Sequence, residues 1–264
     1  CPDFDKYLLS KNKLDGSCKI LLGRGYPRFL QKPLYVLEME KANSSLDDKI
    51  KNIVNNKWND IEIFLDRILF QIFFTLEIIR IKYPSYSHND LFIRNILVIN
   101  NNNYDDNTYI RYKYKNKVFD IPSNGIFIKF NDFGMNNISQ KFFNDLKINK
   151  KIYDNPFRDY FSILYDLYNG SNLGGSSLYS LIKNKKKLES LDKYFNRFIN
   201  IKMIKKIISN DKKRLLDWNW DKTYDDKIVK LFKLKRFDEY LNYFESKYPC
   251  NDYNNIIQTY GHIH

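Results

Sequence analysis

From Trp58 onward the apolar residues Ile61, Phe64, Leu65, Ile68, Leu69, Ile72, Leu76 and Ile79 recur at intervals of three and four. This is the stripe of a helix of about twenty residues, and Pro84 stops it. Ahead of it, Lys19–Leu22 and Leu34–Met39 are short apolar runs separated by Gly23, Gly25, Pro27 and Pro33, which read as strands with loops. Ala42–Ser45 reads as a linker. Beyond Pro84, Leu91–Ile99 reads as a loop running into a strand, and Asn100–Asn107 is a polar tract that cannot bury a core. Tyr109–Tyr114 alternates as a strand does, Pro122–Gly125 turns the chain, and Ile126–Phe130 is a further strand. The second half changes period. Asp159–Tyr168, Ser177–Ile182, Leu188–Ile208 and Asp225–Phe244 all carry helical spacing, so a few strands followed by a helix-rich half predicts an α+β protein.

Composition narrows the function classes. The chain has 264 residues, 43% of them apolar, enough for a sizeable core. Its net charge of +13 comes from Lys scattered among Asn, Tyr and Asp, without the clustered basic block of a nucleic-acid surface. An acidic peptide, a phosphorylated ligand or a membrane surface suits that charge equally. Cys1, Cys18 and Cys250 form neither a disulfide framework nor a zinc spacing, which fits a reducing, cytoplasmic setting. The most apolar run, Ile68–Ile79, is interrupted by Gln71, Thr75 and Glu77, so no transmembrane segment is expected.

Two segments carry chemistry. Ser87-His88-Asn89-Asp90-Leu91-Phe92-Ile93-Arg94-Asn95 has the form H-x-D-L-x-x-x-N and lies between the long helix and a strand. Asn131-Asp132-Phe133-Gly134 follows the strand Ile126–Phe130. Each alone means little, because Asp and Asn commonly cap helices and shape turns. In this order and strand context they describe phosphoryl transfer. Asp90 would accept the proton of a substrate hydroxyl, Asn95 and Asp132 would offer hard oxygens to Mg2+, and Gly134 would give Asp132 room to swing. His88 reads as a buried scaffold residue.

These segments resemble the catalytic loop and magnesium loop of the eukaryotic-type protein kinase superfamily. The resemblance implies a kinase-like fold: residues 1–40 as a remnant of the small-lobe sheet, and 41–264 as a mostly helical C-lobe with an Asn-rich insertion at about 100–125. It implies ATP and Mg2+ as cofactors and a protein substrate. Leu37 would stand at the gatekeeper position, and Glu38 and Glu40 would offer backbone groups to adenine. Trp58–Ile81 resembles the helix before the catalytic loop, and Asp159 the residue that anchors that loop's backbone. The nearest likeness is to serine/threonine kinases of large DNA viruses, which would place the protein in host cytoplasm or virion.

The departures are specific. Asn89 replaces the usual Arg before the catalytic Asp, which removes a link to activation-loop phosphorylation. Phe92 stands where serine/threonine kinases carry Lys, and Arg94 matches the tyrosine-kinase arrangement. Asp90 and Asp132 are about twice as far apart as the family generally shows, and no Ala-Pro-Glu precedes Asp159. No glycine-rich phosphate loop or Val-Ala-Ile-Lys strand precedes the hinge, so a longer parent is expected to supply them and this chain alone to be weakly active. A kinase-like scaffold that binds a partner through its basic surface is the alternative. A small-molecule phosphotransferase of the aminoglycoside type shares the first motif but not Asp132-Phe133-Gly134.

Overall fold

One helix, α2 (Ile61–Lys82), is buried on nearly every side and organises the chain around it. It is seen in a computed structural model that describes residues 41–84, 86–103, 107–133, 157–170, 178–210, 237–250 and 256–262. The expected strands before residue 41 lie outside these. A 3-10 turn, Trp58–Asp60, leads into α2, and the Tyr83 N–H closes it by donating to the Ile79 carbonyl at 2.8 Å. The stripe predicted from sequence is only half of what α2 buries. Phe70, Phe73 and Phe74 are covered too, and so are Asp66, Arg67, Gln71 and Arg80. A helix apolar on all sides belongs in an interior.

Before it, β1 (Ser44–Ser45) and α1 (Leu46–Asn56) occupy the stretch expected to begin with a linker. Ser45 caps α1, its hydroxyl oxygen accepting the Asp48 N–H at 3.2 Å. After α2, β2 (Ile96–Asn100) joins β1 and β5 (Ile126–Phe130) in an antiparallel sheet of order β1-β2-β5. Ile96 pairs with Phe130 and Asn100 with Ile126.

Between β2 and β5 the polar tract leads into a hairpin, β3 (Tyr109–Tyr114) and β4 (Lys117–Pro122). It is no loose flap. Ile110, Tyr112 and Tyr114 face inward in strict alternation, and a late strand, β6 (Ile256–His262), adds parallel to β3. The Phe70 ring receives Tyr112 at 4.9 Å, Phe119 at 5.3 Å and the edge of Phe244 at 4.9 Å. Polar groups fix the register of these strands on α2. The Arg67 Nε–H donates to the Pro122 carbonyl, and the Gln71 amide both donates to Ile126 O and accepts from Ile128 N–H.

The helices that follow are α3 (Phe157–Asn169), α4 (Leu178–Leu181), α5 (Lys185–Phe195), α6 (Ile201–Asn210) and α7 (Phe237–Lys247). The single helix expected over Leu188–Ile208 is two. Phe198 and Ile199 are fully buried between them, and the Asn200 side chain accepts the Met203 N–H at 3.1 Å, starting α6 with a cap that competes with helix continuation. Of the helix expected over Asp225–Phe244, the part before Phe237 lies outside the described residues. The carboxylate of Asp66, fully buried on α2, accepts hydrogen bonds from the hydroxyls of Tyr194, Tyr243 and Tyr248 and from the Lys247 ammonium, tying α5 and α7 to α2. Among the described residues no helix is long and apolar enough to cross a membrane.

Candidate active site

The loop from Ser87 to Asn95 leaves α2 and enters β2 with almost no regular structure of its own, so its backbone N–H groups need partners from elsewhere. Two carboxylates of α3 supply them. Asp159, fully buried, accepts the His88 N–H at 2.8 Å and the Asn89 N–H at 3.0 Å. The Arg80 guanidinium donates to it at 3.1 Å, and the Ser87 hydroxyl lies 3.3 Å away. Two helical turns on, Asp166 accepts the Ile93 N–H at 2.7 Å. Carboxylates that accept several N–H bonds hold a loop in one shape, because each bond is directional and charge-assisted.

The sheet brings the second segment to this loop. The β2–β5 ladder continues one step past the strands, where the Asn131 N–H donates to the Asn95 carbonyl at 2.9 Å. Asp132 follows at once, so strand register sets it beside Asn95. The carbonyl of Asn131 in turn accepts from Nε2 of His88 at 3.1 Å, which assigns the proton to that nitrogen. His88 is fully buried, with Phe130 edge-on at 6.0 Å and Phe133 at 5.2 Å. Asn89 (φ 62°) and Asp132 (φ 58°) both take the left-handed backbone conformation, which Asn and Asp tolerate best among residues with a Cβ.

Asp90 and Asn95 face each other. The Asn95 Nδ2 donates to both the carbonyl and the carboxylate of Asp90, each at 2.8 Å, and those bonds assign the amide so that its oxygen remains as a donor to a cation. Arg94, partly exposed, stands 3.3 Å from the Asp90 carboxylate with its guanidinium over the Phe92 ring at 4.9 Å. Burial pushes the Asp90 carboxyl above its usual range, opposed by the Arg94 charge and the Asn95 bond and reinforced by the Asp132 charge. Such a carboxylate is a better proton acceptor than an exposed one.

Comparison with known proteins converges on one kind of relative. Over 243 residues the chain is 35% identical to "Putative serine/threonine-protein kinase R301" of Acanthamoeba polyphaga mimivirus. The match takes in 82% of this chain and 59% of that protein. A second mimivirus protein, "Putative serine/threonine-protein kinase R400", is 41% identical over 68 residues, 25% of this chain and 15% of the relative. The chain therefore spans less than two thirds of the length of either relative. No family model and no solved structure matches it.

Of the residues singled out from the sequence, Asp90, Arg94, Asn95, Asp132, His88 and Asp159 come together in this site. Leu37, Glu38, Glu40 and Gly134 lie outside the described residues. Sequence reasoning passed over Arg80, Ser87 and Asp166. Two signals were available: Asp159 and Asp166 are seven apart on a helix, hence on one face, and Arg80 interrupts an apolar stripe where a charge requires a partner.

Proposed function

We propose that the chain is the catalytic lobe of an ATP-dependent protein kinase that passes the γ-phosphate to a Ser or Thr hydroxyl. What carries this reading is the convergence of Asp90, Asn95 and Asp132 through the β2–β5 register, in a chain related to mimivirus proteins named as serine/threonine kinases. Residues 41–264 form the C-lobe, and 1–40 supply the last of the small-lobe sheet and the hinge. There Leu37, Glu38 and Glu40 border the adenine.

In this reading Asp90 accepts the proton of the substrate hydroxyl and orients its oxygen, and Arg94 keeps that carboxylate ionised. Asn95 and Asp132 fit Mg2+: both are hard oxygen donors, the amide oxygen of Asn95 is set free by the bonds its nitrogen makes, and the Asp132 side chain is exposed. Bound there, Mg2+ supplies charge neutralisation for the phosphates. Among the described residues no cluster of three or more His, Cys, Asp or Glu stands as an alternative metal site. His88, Asp159 and Gly134 shape the loops without moving protons.

The test is single-turnover transfer from labelled ATP to a Ser/Thr peptide library, alongside Mg2+-dependent ATP binding. Asp132→Asn is expected to lose that binding. Asp90→Asn should keep it while transfer falls by about 100- to 10,000-fold. Transfer undiminished in Asp90→Asn would sink the reading, as would ATP binding indifferent to both Mg2+ and Asp132.

A further inference from the structure

At the end of the β2–β5 ladder remote from Asn95, a cleft of about 320 Å3 opens between α1 and the turn that returns the inserted hairpin to β5. It is lined by Lys49, Lys57, Asn100, Asn101, Asn102, Asn124 and Ile126. Among the described residues no acidic side chain lines it. The nearest acids on α1 are engaged elsewhere, since Asp47 and Asp48 both pair with Lys51 and the Asp48 carboxylate also accepts from the Ser45 hydroxyl. Lys49 is partly buried and donates a hydrogen bond to a neutral acceptor, Asn100 Oδ1, at 3.1 Å. Among the described residues neither Lys49 nor Lys57 forms a salt bridge.

The asparagines sharpen the sign of the site. Asn100 spends its side-chain oxygen on Lys49, and Asn101 spends its own on the Asn103 N–H at 3.1 Å. With those oxygens engaged, the NH2 end of each amide is the donor it can offer a ligand. The wall is rigid. The Asn101 N–H donates to the Gly125 carbonyl at 2.8 Å, Gly125 has φ +64°, and a Cβ there would meet Asn101 O at 2.1 Å. A half-buried ammonium with no carboxylate partner among the described residues, a second lysine in the same lining and neighbouring side-chain amides make a cleft suited to a negative charge. Burial, with the charges of Lys57 and Arg67, already pulls the Lys49 ammonium below its ordinary pKa.

We infer that this cleft is an anion site for a phosphate group, held by the ammoniums of Lys49 and Lys57 and the side-chain amides of Asn100 and Asn101. Phosphate matches the lining better than a carboxylate does, because it presents three or four acceptor oxygens to donors that arrive from several directions. The site is separate from Asp90, Asn95 and Asp132, lying at the opposite end of β2, and the inference does not depend on the kinase reading.

Calorimetric titration of the 264-residue chain with inorganic phosphate tests it, with chloride at matched ionic strength as the reference. Saturable binding is expected, weakened about tenfold or more in Lys49→Met and more modestly in Lys57→Met. Lys49→Arg, which keeps the charge, should bind within a few-fold of wild type, and Lys115→Met, which removes a lysine outside the lining, should bind as wild type does. O-phospho-L-serine run in parallel separates the two sources: tighter binding than inorganic phosphate assigns a phosphorylated chain, weaker binding a free anion. Absence of saturable phosphate binding overturns the inference. So does a folded Lys49→Met variant, checked by its thermal transition, that binds phosphate as tightly as wild type.

Discussion

The Ser87–Asn95 loop and the inserted β3–β4 hairpin both lean on α2, yet they are held by different forces. The loop is fastened by carboxylates, Asp159 and Asp166, that accept its backbone N–H groups at 2.7 to 3.0 Å. The hairpin is fastened largely by rings, Tyr112 and Phe119 against Phe70, and Tyr112 against Phe74. Directional bonds fix positions to a fraction of an ångström, whereas ring packing fills volume and tolerates small shifts. The difference teaches where accuracy is needed: around Asp90 and Asn95, and not in the added strands.

The most severe way to break this contrast is Asp159→Ala. It strands the buried Arg80 guanidinium and two loop N–H groups together, and should cost about 3–5 kcal/mol by urea denaturation. Phe119→Leu in the hairpin should cost less, about 1.5 kcal/mol, and leave ATP binding intact. If the hairpin variant proves the more damaging of the two, the contrast fails.

Asp90→Asn sharpens it through pH. The Asp90 carboxyl is raised, so the folded protein binds its proton more tightly than the unfolded chain does. The stability it contributes is full below the ordinary carboxylate pKa of 3.8 and is lost as pH rises through the higher folded value. Asp90→Asn should therefore be more stable than wild type at pH 7, with the gap closing as pH falls toward 3.8; chemical denaturation across that range reads it. A gap that widens toward acid would refute the assignment. The smallest effect is expected at the rim of the hairpin. Lys115 and Asp238 are 3.5 Å apart and half exposed, so Lys115→Ala should change stability by about 0.3 kcal/mol.

Local pattern made some of this legible beforehand and long-range pairing made the rest invisible. The α2 stripe, the β2 and β5 strands and the hairpin's alternation could all be read, because each is a periodicity confined to one segment. The helix α1 was passed over: Leu46, Ile50, Ile53 and Val54 follow helical spacing, but only the linker composition of Ala42–Ser45 before them was read. The parallel partner of β3 could not be read. Ile256–His262 carries no signal that names Tyr109–Tyr114 as its neighbour, since strand pairing at a distance depends on how everything between has packed. At the site, motif spacing pointed to Asp90, Asn95 and Asp132. It was silent on Arg80 and Ser87, whose roles arise only when α2 and α3 meet.

The β3–β6 pairing has a consequence in time. A ribosome makes β3 long before it reaches Ile256, at about 5–20 residues per second, so the outer edge of β3 waits on the order of 10 s or more without its parallel partner. An unpaired strand edge recruits other strands. During that interval the nascent chain is at its most prone to join a neighbouring copy, and slowing synthesis after Tyr114 should lower the yield of folded protein more than slowing it before Tyr109.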